Sequence, residues 1–312
     1  MRYLVCGSLV WLSLLGALPC SAGQSEPVRG GVLHVALRAE PKTLNPVIAM
    51  DAPSRDVARR LHADLITIDR ATQKTVPGLA ERWTVAGTRY RLHLRKGVRF
   101  SDGTAFTADD VVFTFAVYQD ERVRSPQRDL LLIDNKPIVV KKIDGYTVEF
   151  VLPGPYAAAE RIFDSLAILP RHKLEAVWKA GGLREAWGVG TSPSEVVGLG
   201  PFRLKEYRPG EAVVLERNPY YWKAGRPYLD GLEFRLLADE DLQLARLASG
   251  QLDLLNRLSP KAVSYLRGKP GAEVADLGPG LEYNFLTFNL TPGAAHLDWF
   301  GKREFREALE TT

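Results

Sequence analysis

Few residues of this 312-residue chain are spaced for catalysis. Its five histidines, His34, His62, His93, His172 and His296, show no metal-ligand spacing and no His-Glu-x-x-His string. His34 reads as strand filler and His93 as a solvent-facing strand residue. The carboxylate clusters Asp109-Asp110 and Asp239-Glu240-Asp241 could furnish an acid and a base. Both fall where helices should begin, and the helix dipole accounts for acidic groups there. A Gly-x-Ser-x-Gly nucleophile elbow is missing. Gly188-Val189-Gly190 and Gly198-Leu199-Gly200 continue into neither a dinucleotide fingerprint nor a P-loop. Asn289-Leu290-Thr291 fits a glycosylation acceptor, a pattern frequent by chance. The aromatics are more suggestive: Tyr220-Tyr221-Trp222 follows Asn218-Pro219, and Trp83, Trp178, Trp187 and Trp299 are spread elsewhere. Packing and a ligand cleft both explain them. The reading therefore leans towards binding, with no cofactor, no metal and no enzymatic centre.

The elements that must position these residues alternate between helix and strand. Val32 to Leu37 is a short apolar run suited to a buried strand. Asp51 to Ile68 reads as a helix entered at Ser54, with Val57, Leu61 and Leu65 on one face. In residues 89–100, Tyr90, Leu92 and Leu94 alternate with Arg89, Arg91, His93 and Arg95, the pattern of a half-buried strand. Thr107 and Asp110 form a capping box before a helix through Val111 and Phe115. Strands are expected at 146–152, 201–207, 212–217 and 281–290, and a helix from Asp239 or Glu240 to Gly250. The segment from Gly181 to Gly200 suits a crossing between lobes. The mixture indicates an α/β or α+β protein.

Composition agrees with a folded, water-soluble chain: 46% hydrophobic, 25% charged and 9% aromatic residues. At about 150 residues per domain, the length suggests about two domains. Lys and Arg number 41 against 37 Asp and Glu, and the basic residues are scattered, so no nucleic-acid partner is expected.

Met1 to Ala22 reads as a secretory signal. Arg2 precedes an apolar stretch from Leu4 to Leu18, Pro19 breaks it, and Cys20-Ser21-Ala22 supplies small residues before a cut after Ala22. The alternative is a lipid anchor at Cys20, disfavoured by Pro19 immediately before it. Cys6 and Cys20 are the only cysteines, so cleavage leaves none for disulfides, thiolate catalysis or zinc. The expected location is periplasmic or otherwise extracytoplasmic.

Several strings then come in a fixed order: Glu40-Pro41-Lys42-Thr43-Leu44-Asn45-Pro46, Val76-Pro77-Gly78-Leu79-Ala80-Glu81-Arg82-Trp83, and Leu94-Arg95-Lys96-Gly97-Val98-Arg99-Phe100-Ser101-Asp102-Gly103-Thr104. Phe106-Thr107-Ala108-Asp109-Asp110-Val111, Gly198-Leu199-Gly200-Pro201-Phe202, Leu215-Glu216-Arg217-Asn218-Pro219-Tyr220-Tyr221-Trp222 and Ala248-Ser249-Gly250-Gln251-Leu252-Asp253 follow. Together they resemble the family 5 extracellular solute-binding proteins of ABC importers. The resemblance implies a periplasmic-binding-protein-like (type II) α/β fold, multi-lobed with mixed sheets and a hinge. It places lobe I at 30–62 and 171–268, lobe II at 63–170, and the start of a third lobe at 269–312. Family members run longer, and Phe305-Arg306-Glu307-Ala308-Leu309 looks like the helix that opens the rest of that lobe. The expectation is a C-terminally truncated fragment with an incomplete third lobe.

By the same resemblance the chain captures peptides, as a monomer, and delivers them to ABC permease subunits in the inner membrane. Other solutes of that transporter class, a glycan or a nickel chelate, are the alternative, as is a non-transport periplasmic chaperone or sensor. A secreted hydrolase would need a nucleophile–base pair that the sequence does not offer. The resemblance implies backbone pairing with an extended peptide at Met50, Asp51 and Ala52, or else a plain interlobe loop there. Asn284, Phe285 and Leu286 would face hinge and cleft, or else belong to the core.

Overall fold

The backbone punctuation of the sequence sets where its elements begin. The computed structural model describes residues 27–69, 71–276, 278 and 286–310. The chain divides into two units, Met1–Ala262 and Val263–Thr312. The first unit opens with β1 (Val32–Leu37), α1 (Ala52–Leu61), β2 (Ile66–Ile68), β3 (Thr75–Pro77), β4 (Ala80–Ala86) and β5 (Arg89–Leu94). It continues with α2 (Ala108–Gln119), β6 (Leu132–Ile133), β7 (Lys136–Pro137), β8 (Val139–Asp144) and β9 (Thr147–Val151). Then come α3 (Ala159–Phe163), α4 (Arg171–Lys179), β10 (Phe202–Arg208), β11 (Ala212–Arg217), β12 (Gly231–Leu236) and α5 (Glu240–Ala248). Helix α6 (Pro260–Leu266) crosses the boundary between the units.

Two four-stranded sheets carry the first unit. One has the order β1-β12-β11-β10, with β1 parallel to β12 and the other pairs antiparallel. The other has the order β4-β5-β9-β8 and is antiparallel throughout, with Leu92 opposite Val148 and Tyr90 opposite Phe150. Its apolar face meets α2: Phe115 packs edge-on to Phe150 at 4.8 Å, and Phe150 lies 4.7 Å from Phe163. Removing such fully buried rings from water is the main favourable contribution to this core. Both acidic clusters cap helices, as their position implies. Thr107 N–H donates to the Asp110 carboxylate (2.9 Å), and Asp239 accepts from Leu242 N–H (2.7 Å).

The structure corrects three sequence expectations. The helix expected to be entered at Ser54 and run to Ile68 starts at Ala52, with Asp51 as its cap and Pro53 in its first turn, and stops at Leu61, because Ile66–Ile68 instead pairs with Thr75–Pro77. Residues 286–290, the described part of the strand expected at 281–290, lie in no strand among the described residues. Seven strands were not expected at all: β2, β3, β4, β6, β7, β8 and β12. Strand β4 is mostly exposed and so lacks apolar alternation, whereas β12 alternates Leu232 and Phe234 with Glu233 and Arg235.

Two glycines let separate segments touch. A Cβ on Gly198 would fall far inside contact with the Leu61 carbonyl oxygen and 2.8 Å from His62 Nδ1. A Cβ on Gly200 would crowd the Arg60 carbonyl and lie 2.7 Å from His62 N. The contact is sealed by Gly200 N–H donating to Leu61 O (2.9 Å) and Ser101 N–H donating to Gly198 O (2.9 Å).

The second unit holds α7 (Leu297–Phe300) and α8 (Arg303–Glu310) around an aromatic group, with Phe288 5.2 Å from Phe300 and 6.4 Å from Phe305. Phe305 is half-buried in that group, while Ala308 and Leu309 are exposed. Among the described residues no helix is long and apolar enough to cross a membrane.

Replacing Gly198 with Ala should destabilise the first unit by about 1–3 kcal/mol or more, as overpacking against fixed backbone does. Chemical denaturation checks this: an unchanged midpoint would show that the segment can move away from Leu61.

Candidate functional site

Immediately after α1, the chain places a histidine and a carboxylate where apolar neighbours surround them. His62 N–H closes the helix by donating to Ala58 O (3.0 Å). Gly78, whose Cβ would lie 2.8 Å from Leu65 O and 2.9 Å from Asp64 O, lets the next strands approach. There Leu79 N–H donates to Asp64 O (3.2 Å) and Ala80 N–H to Leu65 O (2.8 Å), while Ile168 N–H donates to Ala63 O (3.0 Å). The His62-to-Asp64 link is thus held on both sides. Asp164, just past α3, accepts from Ile68 N–H (3.0 Å) and is tied to the same strand.

These groups border a cavity of about 560 Å³ in the first unit. Its wall includes His62, Asp64, Asp164, Tyr118, Trp222 and Lys223. The last two come from the loop after β11, which Asn218 secures: its side-chain N–H donates to Gly200 O (2.9 Å) and its side-chain oxygen accepts from Tyr220 N–H (2.9 Å). The Trp222 ring has the Arg95 guanidinium and the Lys223 ammonium each 4.9 Å from its centre. Arg95 in turn donates to Gly78 O (2.8 Å), the residue that packs on Asp64.

The cavity wall is unusual in its protonation. The His62 ring is 4% exposed and stacks on Trp187 at 5.4 Å. Among the described residues neither ring nitrogen has a hydrogen-bond partner, and neither does the buried Trp222 Nε1. Burial pushes His62 down to about 4, so it is neutral at pH 7. Asp64 is pushed up to about 8, by burial first and then by the charge of Asp164, against a partial offset from Arg59. Burial, with the Asp64 charge added, raises Tyr118 as well and keeps its hydroxyl protonated. Lys223 is pushed down by burial and by the nearby Arg95 and Arg226. The charges acting on Asp64 and those acting on Lys223 are different sets.

A second hollow of about 410 Å³ lies against β10 to β12, bordered by Arg208, Glu211, Glu233 and Arg235. Those charges are already paired: Arg208 meets Glu211 and Glu233 at 2.8 Å, and Arg235 meets Glu233 at 3.2 Å. It offers a ligand less than the first cavity. Among the described residues no group of three or more His, Cys, Asp or Glu side chains is arranged for a metal ion.

Of the residues expected from sequence, Met50, Asp51 and Ala52 are not in the wall of this cavity. Met50 is exposed and outside any helix or strand, Asp51 caps α1 by accepting from Ser54 N–H (2.9 Å), and Ala52 is the first helical residue. Their neighbour Ala49 does border the cavity. Leu286 is exposed in the second unit; Asn284 and Phe285, like Met1–Ala22 with Cys6 and Cys20, lie outside the described residues. Of the suggestive aromatics, Tyr221 and Trp222 line the cavity. Sequence reasoning missed His62, Asp64 and Asp164. The available signal was an aspartate interrupting the apolar run Leu61 to Ile66.

The chain belongs to the bacterial extracellular solute-binding proteins, family 5: residues 74–311 match the sequence profile of that family's Middle region. The peptide transport periplasmic protein SapA of Salmonella typhimurium is 30% identical over 311 residues, covering 93% of this chain and 56% of its own. The oligopeptide-binding protein AppA of Bacillus subtilis is 34% identical over 246 residues, covering 76% of this chain and 42% of its own. Among solved structures, the periplasmic binding protein DppA of Helicobacter pylori, in complex with the peptide STSA, superposes with a TM-score of 0.67 at 26% identity. That likeness covers 78% of this chain and 50% of DppA. The fold is therefore of the type II periplasmic-binding-protein class, and the chain spans about half the length of the curated relatives it matches.

The protonation pattern makes a signed prediction. Asp64 rises from an ordinary 3.8 to about 8, so between those values the native state holds a proton that the unfolded chain releases. Stability then falls as pH rises through that window. His62, lowered from 6.5 to about 4, gives the opposite slope between those two values and masks part of the effect. The difference in melting temperature between the native chain and Asp64→Asn removes the histidine's contribution. It should move steadily in the variant's favour from pH 4 to pH 8; a flat difference would show that Asp64 is ionised throughout.

Proposed function

We propose that the chain acts as the ligand-capturing part of an extracytoplasmic receptor that takes up peptides and delivers them to an ABC import permease. The observation that carries this reading is the family membership together with relatives described as peptide transport and oligopeptide-binding proteins. The cavity supports it physically. Its wall mixes apolar and aromatic residues with charged and polar ones, among them Arg55, Arg59, Asp64, Gln127 and Lys223, so it can meet both the backbone and the side chains of a peptide. In this reading the protein binds its ligand and does not transform it. The leader Met1–Ala22 exports the chain, which works as a monomer.

In this reading the segment just outside the cavity wall, at Met50 and Asp51, offers backbone groups to an extended ligand. The sheet containing β1 and β12 and the sheet containing β5 and β9 form the cores of two lobes, 30–62 with 171–268 and 63–170.

Isothermal titration of the full chain with alanine peptides of two to nine residues tests the proposal. Saturable one-to-one binding is expected for at least one length, weakened at least about tenfold by Trp222→Ala, as for a buried aromatic anchor. Absence of binding at every length would sink the peptide reading for this polypeptide.

A further inference from the structure

The fold gathers cations that the sequence scatters. Trp222 has Arg95 and Lys223 each 4.9 Å from its ring centre. Further along the same loop, Tyr228 has the Arg226 guanidinium 4.1 Å and the Arg29 guanidinium 5.6 Å from its ring centre. Lys96, next to Arg95, lies 5.9 Å from the centre of the Tyr146 ring. These groups join into one strip. The charges of Arg95 and Arg226 both act on Lys223, Gly30 N–H donates to Tyr228 O (2.8 Å), and a Cβ on Gly225 would lie 3.0 Å from the Arg29 guanidinium. Among the described residues none of the five cations is ion-paired with a carboxylate, whereas Arg89 and Arg91 hold Glu149 and Arg208 holds Glu233. The acids close by are taken: Asp230 by Arg217 (2.6 Å) and Gly31 N–H (3.0 Å), and Asp144 by Tyr146 N–H (2.7 Å). The rings offset part of the repulsion between the cations, but the strip keeps a positive field that an outside anion would neutralise.

Arg29, Lys96, Lys223 and Arg226 are exposed, and so are the apolar Val28, at 89%, and the Tyr220 ring beside them in sequence. Cations interleaved with aromatic and apolar side chains suit the headgroup layer of a bilayer, where the cations meet phosphates and the rings settle at the boundary. Arg29 also lies close in sequence to the apolar stretch from Leu4 to Leu18, the part of the chain most compatible with lipid. We propose that this strip rests on the anionic surface of a phospholipid bilayer, its Lys and Arg side chains meeting lipid phosphates. The inference goes beyond the peptide reading and does not depend on it.

Flotation of the full chain with phospholipid vesicles tests this. The chain should rise with vesicles of about one quarter phosphatidylglycerol in phosphatidylcholine, and much less with pure phosphatidylcholine. Raising the salt from about 50 mM to about 500 mM should release it, since exposed charges are screened. The triple variant Lys96→Gln, Lys223→Gln, Arg226→Gln should partition at least about tenfold more weakly. Its charge-preserving counterpart, Lys96→Arg, Lys223→Arg, Arg226→Lys, should float as the native chain does, which separates loss of charge from loss of folding. Removing the same charge from exposed cations outside the strip, as Arg124→Gln, Lys136→Gln, Lys141→Gln, should change partitioning less than about threefold. Every variant keeps residues 1–22, so any lipid affinity of that stretch is common to all. Equal loss in the two glutamine triples, or equal flotation with both lipids, would overturn the proposal. Retention on immobilised polyglutamate without flotation would assign the strip to an acidic protein surface and overturn it too.

Discussion

The carbonyl at the end of α1 is the point on which the rest of the first unit depends. Leu61 O accepts from Gly200 N–H, and the same close passage brings Gly198 against His62. Gly198 O accepts from Ser101 N–H, and Gly200 O accepts from the Asn218 side chain. Four stretches far apart in sequence therefore share one junction, and only residues without a Cβ can occupy its centre. Two parts of the cavity wall hang from it. His62 and Asp64 follow Leu61 directly, and Tyr221 and Trp222 follow Asn218. A junction built from backbone hydrogen bonds and excluded volume holds side chains more rigidly than a surface loop could, which a binding site requires.

That rigidity makes an unfavourable electrostatic arrangement tolerable. Placing Asp64 near Asp164 and away from water disfavours its charge, and the protein responds by holding a proton instead of moving the group. His62 answers the same surroundings by losing its proton. The result is a cavity wall with polar atoms that are not used up internally, an imidazole and an indole N–H, beside a carboxyl whose charge burial disfavours. Elsewhere the chain pairs most such groups, though Arg208 Nε beside the second hollow also lacks a hydrogen-bond partner among the described residues. Glu149 lies between Arg89 and Arg91, Trp178 donates to Asp120, and Glu233 is shared by Arg208 and Arg235. Unsatisfied buried polar groups are uncommon, and among the described residues two of the three that carry one, His62 and Trp222, border the first cavity.

Much of the scaffold was legible because it obeys local rules. The alternation of Tyr90, Leu92 and Leu94 is β5, the Thr107–Asp110 box opens α2, and Asp239 caps α5. Local rules also misled. The apolar residues after Leu61 continue a helical face on paper, but β-branched Ile66 and Ile68 find a strand partner in Thr75–Pro77, and the helix ends. The site was mostly illegible for the same reason. Asp64 and Asp164 are 100 positions apart, and what distinguishes them from ordinary surface aspartates is desolvation, which only the fold creates. The Tyr220-Tyr221-Trp222 run could be seen, but its role depended on the glycine junction that aims it. Gly198-Leu199-Gly200 was read as lacking a nucleotide motif and as part of a family string, whereas its physical role is closeness of approach.

The most direct measurement is a crystal structure of the full chain grown with trialanine. The account predicts ordered peptide in the cavity beside α1, against the Trp222 ring. Peptide bound at another surface, with the space between His62, Asp64 and Trp222 filled only by water, would contradict it.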